Sequence, residues 1–383
     1  MISRTLENKI KELATKFPVI SLTGPRQSGK TTLARHTFPG YHYVSLEEPD
    51  TRLNAQTDPR GFLRNHPDGL IIDEVQRVPE LFSYIQSFAD ESDRTAQFIL
   101  TGSQNFLLLE KISQSLAGRV AILKLLPFSL NELDKANIRY SHFDPFLLQG
   151  FYPRLYDKKI APDDYYPNYI QTYIERDVRQ IINITDLNVF TRFLKLCAGR
   201  IGQLVNLSSL GQEAGITHAT ARAWISLLEA SYIVFLLHPH HRNFNKRLVK
   251  SPKLYFYDTG LACSLLGIRE VTQVETHYLR GSLFENLVIA DIFKSFTNTG
   301  KEPPITFWRD KTGHEIDLLV ESGNDLHPVE IKSSQTISPN FFKDLNFYKD
   351  ISGMQEKPAM LIYGGDKDQT WHDIQVRSWM QGL

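Results

Sequence analysis

Leu22-Thr23-Gly24-Pro25-Arg26-Gln27-Ser28-Gly29-Lys30-Thr31-Thr32 is the stretch whose reading decides the fold. It follows the apolar run Phe17 to Leu22, which reads as a buried strand, and it enters Thr31 to Thr37, which reads as the first turns of a helix. A strand, a G-x-x-x-x-G-K-[ST] loop and a helix in that order form a phosphate-binding loop. Gly24 and Gly29 permit backbone angles that a Cβ forbids, so successive N–H groups turn inward at a positive helix end. Pro25, Arg26, Gln27 and Ser28 complete the loop. Lys30 would reach the β- and γ-phosphates, the Thr31 hydroxyl would hold a magnesium ion, and Thr32 closes the nucleotide-binding set. The expected ligand is ATP with Mg2+; the alternative is a glycine turn that matches by chance.

Composition sets limits around that site. A chain of 383 residues has room for two or three domains and a substantial core. Its 42% hydrophobic and 22% charged residues are those of an ordinary globular protein. The 43 basic and 43 acidic side chains cancel, so only a local patch would draw nucleic acid. Cys197 and Cys263 lie far apart among apolar neighbours, which points to core positions, a reducing compartment and no thiol metal site. No run approaches the roughly 20 apolar residues that span a bilayer, and Met1-Ile2-Ser3-Arg4 is too polar for a signal peptide. The expected location is the cytoplasm, with no membrane partner.

Leu6 to Leu13 reads as an amphipathic helix and Tyr41 to Leu46 as a second strand. Gly69-Leu70-Ile71-Ile72-Asp73-Glu74 reads as a buried parallel strand with carboxylates at its C-terminal edge, where α/β sheets place ligands. Asp73 would hold magnesium through water and Glu74 would orient or deprotonate the attacking water, as in a Walker B segment. An acidic helix cap is the plainer alternative. Gln97 to Thr101 is a fourth strand that ends in Gly102-Ser103-Gln104-Asn105. Ser103 is the first choice for a γ-phosphate sensor, with Thr101 and Asn105 behind it and a simple turn as the competing role. Ser115 to Arg119 leads into the fifth apolar run, Val120 to Leu126. Arg119 has two readings, an arginine finger or a surface ion pair. Strands alternating with helices predict an α/β fold built on a parallel sheet.

Gly24 to Thr31, Ile71 to Glu74, Leu100 to Ser103, Ser115 to Arg119 and Leu126-Pro127-Phe128-Ser129 together resemble an AAA-plus type P-loop ATPase. More narrowly, the chain resembles prokaryotic ATPases that join such a module to a winged helix and a C-terminal restriction-endonuclease-like domain. Tyr173-Ile174-Glu175-Arg176-Asp177-Val178 and Gly281 to Leu287 look like signatures of the same family. The resemblance implies nucleotide hydrolysis more than any biological role.

Glu132 to Gly199 carries aromatic and long apolar residues at helical spacing, among them Tyr166, Ile170, Tyr173 and Ile174, and reads as a helical lid. Arg176 reads as an ion-paired structural residue, with phosphate sensing as the alternative. Asn206 to Ala230 reads as two helices joined at Gly215, with Ser208 and Thr217 as N-caps, and Tyr232 to Leu237 with Lys253 to Tyr257 as a β wing. His218, Thr220 and Arg222 would face a DNA groove, and Arg242, Lys246, Arg247, Lys250 and Lys253, in a run without an acid, would grip phosphates. A packing module with a solvated basic loop is the alternative.

In the last third, Gly281 to Val288 begins a helix on which Glu285 stands off the apolar stripe, and Ile305 to Arg309, Glu315 to Val320 and His327 to Lys332 read as strands. Alternation puts Glu330 and Lys332 on one face, with Asp317 able to lie beside them on the neighbouring strand. Glu285, Asp317, Glu330 and Lys332 are similar to the PD-(D/E)xK nuclease constellation, in which carboxylates gather around a divalent cation that activates water. Ile316 stands where that motif has proline. An inert or protein-binding domain with the acids paired to Lys332 is the alternative.

The expected organisation is residues 1–131 as an AAA-plus core, 132–205 as a helical lid, 206–262 as a winged helix-turn-helix and 263–383 as a nuclease-like domain. The expected function is a Mg-dependent ATPase acting as a molecular switch, with a metal-dependent nuclease or a nucleotide-locked signalling scaffold as alternatives. Duplex DNA and self-association are the expected partners besides ATP.

Overall fold

The computed structural model describes residues 2–102, 115–173, 186–240, 248–323, 325–353 and 358–381. Its contacts divide the chain into two compact units. The first holds residues 1–128 with the short returns 230–232 and 296–301; the second holds the remainder. The elements expected as lid, winged helix and nuclease-like domain thus share one unit.

In the first unit the described strands are β1 (Val19–Thr23), β2 (His42–Ser45), β3 (Leu70–Asp73), β4 (Phe98–Thr101) and β5 (Val120–Lys124). They pair in parallel in the order β2-β3-β4-β1-β5. The apolar runs are continuous because both faces of the sheet are covered. Val19, Leu70, Ile72, Phe98 and Leu100 enter one core with Phe62, Leu81, Phe82 and Ile85 from helices on that side. Ile20, Leu22, Ile71 and Ile99 enter the other with Leu6 and Ile10 of the helix Leu6–Ala14 and Leu33 of the helix Lys30–Thr37. Each such fully buried aliphatic side chain contributes about 1.5–3 kcal/mol. The β3-β4-β1 order brings the end of β3 beside the loop that leaves β1, with β4 between them.

The second unit begins with short helices, Leu130–Lys135, Asp144–Gln149, Pro153–Asp157 and Pro162–Tyr169. Asp258, buried, ties this region to later chain: it accepts from Phe151 N at 2.6 Å, Tyr166 Oη at 2.7 Å and Leu261 N at 2.8 Å. Arg176 and its neighbours lie outside the described residues. The helices Leu207–Ala214 and His218–Ala230 meet at Gly215, whose φ of 78° needs glycine, and the antiparallel pair β6 (Val234–Leu237) and β7 (Lys253–Phe256) follows. The first helix is capped by Asn206, which accepts from Ser209 N at 3.1 Å, rather than by the expected Ser208. Thr217 caps the second, accepting from Thr220 N at 3.1 Å.

The remaining described strands are β8 (Ile305–Arg309), β9 (Glu315–Ser322), β10 (Asp325–Lys332), β11 (Ala359–Tyr363), β12 (Gln369–Trp371) and β13 (Ile374–Ser378). They form a mixed sheet in the order β12-β13-β11-β10-β9-β8, antiparallel from β8 to β10 and parallel from β10 through β11 to β13. The helix Lys343–Ser352 covers one face through Leu345 and Tyr348. Cys197 and Cys263 are both buried and free, and burial pushes the Cys197 thiol up to about 12. Among the described residues no helix is long and apolar enough to cross a membrane.

Candidate functional site

The phosphate loop takes three positive φ angles, 144° at Gly24, 63° at Gln27 and 92° at Gly29, so its amides converge rather than extend. Gly24 has a second reason to be glycine: a Cβ there would lie 2.1 Å from the Leu125 carbonyl oxygen. Gly29 is the left-handed N-cap of the helix Lys30–Thr37, which aims that helix's positive end into the loop. Lys30 is buried, and its Nζ donates to Gly24 O at 3.0 Å and Pro25 O at 2.8 Å. Burial lowers its pKa to about 8, against the pull of Glu74 and Asp73. The Ser28 hydroxyl is buried in the loop without a partner. Arg26 approaches Glu47 at 3.9 Å, while Gln27 and Thr32 are exposed.

Asp73 ends β3 and gathers three hydroxyls. Thr31 Oγ1 donates to its Oδ2 at 2.9 Å and Tyr43 Oη to the same oxygen at 3.0 Å, and Thr101 Oγ1 donates to its Oδ1. Burial, then Asp73, pushes the Tyr43 phenol up to about 12, so it stays a donor. Glu74 follows in a left-handed conformation, φ 54°, and accepts from Gln76 Nε2. A non-glycine residue held in that region at a strand's ligand edge is strain of the kind found at functional sites. The glycine cradle, Lys30, the unbonded Ser28 hydroxyl and the Thr31–Asp73 pair fit a magnesium nucleotide.

Ser103 and Asn105 lie outside the described residues, and the polar group that β4 delivers is Thr101. Arg119 precedes β5 at the edge of the sheet opposite the loop, where its carbonyl accepts from Val19 N at 3.2 Å. Four residues of strand, about 13 Å, separate that edge from Thr23. Its guanidinium pairs with Asp90, with Nη2 at 3.0 Å from Oδ2, as in the ion-pair reading. Arg4 was missed in the sequence. Buried, it donates to Ser28 O at 2.8 Å and Leu126 O at 2.6 Å and stacks 4.8 Å from the Phe128 ring centre, joining the loop to the end of β5. Tyr232, also missed, shares a 2.9 Å hydroxyl contact with Thr23 just before Gly24.

The second unit brings together all four residues of the C-terminal constellation. Asp317 on β9 and Glu330 on β10 are buried, with Val329 opposite Leu318 in the register. Asp317 Oδ2 accepts from Ile331 N at 2.9 Å and lies 3.4 Å from Lys332 Nζ, which also bonds Glu330 Oε1. Glu330 Oε2 is buried without a partner. Burial, then Asp317, raises the Glu330 carboxyl well above the usual range, and burial likewise raises Glu285 against the pull of Lys253. Burial would pull the Lys332 ammonium down, but Asp317 and Glu330 outweigh it and hold the charge.

Lys253 corrects another expectation. It does not stand out from a basic loop; it is buried in this cluster, 3.0 Å from Glu285 Oε1 and in contact with Glu315, a carboxylate the sequence reading missed. Of the other proposed DNA contacts, His218 and Arg222 are exposed on their helix, while Thr220 is half-buried and bonded to Thr217. Arg242, Lys246 and Arg247 lie outside the described residues.

Residues 16–134 match the family described as AAA domain, and residues 140–272 and 280–381 match two domains of unknown function, DUF8612 and DUF4143. The uncharacterized proteins Rv2008c of Mycobacterium tuberculosis and Mb2031c of Mycobacterium bovis are each 29% identical over 340 residues, covering 86% of this chain and 74% of theirs. Among solved structures, the Walker-type ATPase paby2304 of Pyrococcus abyssi aligns over 69% of this chain and 96% of its own at 16% identity and a TM-score of 0.47. AMPPCP-bound DnaA from Aquifex aeolicus aligns over 58% of this chain and 85% of its own, at 16% identity and a TM-score of 0.30. Family match and loop geometry agree on a P-loop domain over residues 16–134 that is similar to the AAA domain family.

Proposed function

We propose that the protein binds magnesium-ATP at Gly24 to Thr32 and hydrolyses it, and that the nucleotide state works as a molecular switch for the rest of the chain. The observation that carries this reading is Asp73, held by hydroxyls from three separate elements beside a glycine cradle with a buried lysine. Magnesium, when bound, neutralises charge on the β- and γ-phosphate oxygens. Thr31 and Asp73 are the residues to hold it, while Tyr43 and Thr101 keep the Asp73 carboxylate from rotating. Lys30 would exchange the Gly24 and Pro25 carbonyls for phosphate oxygens. Glu74, one residue beyond Asp73, would orient the attacking water and take its proton. In a homo-oligomer, Arg119 would act across a subunit boundary.

Turnover measurements test this. Wild type should hydrolyse ATP slowly and only with magnesium. Lys30→Ala should lose nucleotide binding, and Glu74→Gln should keep binding and stop turnover; normal turnover in both variants contradicts the reading. Tight retention without turnover would turn the switch into a nucleotide-locked scaffold.

A second reading, a metal-dependent nuclease regulated by the ATPase, draws support from the convergence of Glu285, Asp317, Glu330 and Lys332 and from the unbonded Glu330 oxygen. The duplex would lie against His218 and Arg222 of a winged helix, with Arg242, Lys246 and Arg247 on its phosphates. Nicking of duplex DNA with magnesium or manganese, absent in Asp317→Ala, is the expected result; equal inertness of the two sinks it.

A further inference from the structure

The C-terminal carboxylate cluster already contains a cation of its own. The Lys253 side chain is only 3% exposed, and its Nζ lies 3.0 Å from Glu285 Oε1 and 3.9 Å from Asp317 Oδ1 while bonding Glu315 Oε1. It comes from β7, outside the constellation recognised in the sequence, and Tyr255, two residues on, donates its hydroxyl to the same Glu285 oxygen. Lys332 takes the opposite side, on Glu330 Oε1 and Asp317 Oδ2. Magnesium binds oxygen at about 2.0–2.1 Å with near-octahedral demands, and manganese is likewise satisfied by carboxylate oxygens. Lys253 holds Glu285 Oε1 and approaches Asp317 Oδ1, so an ion bridging those two oxygens would meet its ammonium. An ammonium and a dication 3 Å apart repel strongly in a buried site, so both cannot be held there together.

We propose that Lys253 is a tethered competitor that keeps the Glu285–Asp317 site closed to divalent cations, so that metal enters only when the lysine withdraws. The inference rests on the metal-dependent reading of this cluster and adds a control to it. Lys253 is then a positioning residue for the apo cluster and an inhibitor of its loading.

The test is a manganese titration by calorimetry of the full chain without nucleotide, together with melting curves with and without Mn2+. The proteins are wild type, Lys253→Met, Lys253→Arg and Lys253→Met/Asp317→Asn; the phosphate-loop site contributes the same background to all four. Lys253→Met should melt about 5–10 °C lower, because it strands buried carboxylates. It should also bind Mn2+ at least about tenfold more tightly than wild type, and Mn2+ should restore its melting temperature. Lys253→Arg should resemble wild type, and the double variant should lose the gained site. Wild type binding Mn2+ at this cluster as tightly as Lys253→Met overturns the inference while leaving the metal site standing. Absence of an Asp317-dependent site in every protein defeats the metal reading itself and the inference with it. Should Lys253→Met not fold, Lys253→Gln, which keeps a hydrogen-bond donor, is read by the same criteria.

Discussion

Replacing Arg4 by methionine separates an architectural arginine from one that prepares the phosphate loop. Met preserves the apolar stem and its contact with Phe128, but it removes the guanidinium that donates to Ser28 O at 2.8 Å and Leu126 O at 2.6 Å. Each of the two hydrogen bonds from the charged donor contributes about 1.5–3 kcal/mol, and the carbonyls it leaves are buried, so the loss should total about 3–6 kcal/mol. Half of that falls on the loop itself. Release of Ser28 lets the loop leave the conformation in which its amides converge, and apparent affinity falls in proportion to the fraction still competent. A loss of about 1.5 kcal/mol in loop anchoring lowers ATP affinity by up to about tenfold. Fluorescent-nucleotide titration and thermal melting, on wild type and Arg4→Met, read the two effects separately. The reasoning predicts a lower melting temperature together with weaker ATP binding. A lower melting temperature with unchanged affinity would refute it, because Arg4 would then hold only the sheet edge.

Thr101→Val keeps the volume of β4 and deletes one donor to Asp73; magnesium-dependent turnover should fall about tenfold or more while affinity for ATP without magnesium stays, measured by coupled phosphate release and calorimetry. Lys30 gives a pH signature. Its folded pKa, about 8, lies below the 10.5 of the unfolded chain, so burying the ammonium opposes folding below pH 8 and stability rises as pH climbs from 8 toward 10.5, by about 3 kcal/mol at most. Phosphates favour the ammonium, so ATP affinity should fall about tenfold per unit above pH 8. Calorimetry at pH 7, 8 and 9 checks this, and Lys30→Arg should flatten the profile while a flat wild-type profile contradicts it.

Much of the candidate nucleotide site was legible because its signals are local. The loop glycines, Lys30, Thr31, Asp73 and Glu74 sit in two short stretches whose apolar flanks announce buried strands, and the structure places both stretches on one sheet edge. What the chain does not announce is sheet order. Tyr43 and Thr101 meet Asp73 only because β2 and β4 flank β3, and Arg4 meets Leu126 across 122 residues. Arg119 kept two readings in the sequence, finger or surface ion pair; what the sequence does not give is its place before β5, opposite the ligand edge of a parallel sheet, beside Asp90.

The C-terminal cluster shows the same limit in another form. Alternation brought Glu330 and Lys332 to one face and Asp317 beside them. The same two-residue step would have placed Glu315 with Asp317 on β9 and Lys253 with Tyr255 on β7. A count of positive charges from His238 to Lys253 hid that step, since composition does not reveal which lysine of a basic run turns inward.

The most direct measurement of the central claim is calorimetric titration of wild type and Lys30→Ala with ATP in the presence of magnesium. Saturable one-site binding in wild type, weakened at least about hundredfold in Lys30→Ala, is the result the account predicts. No detectable affinity for ATP or GTP in wild type, or equal affinity in the two proteins, would contradict it.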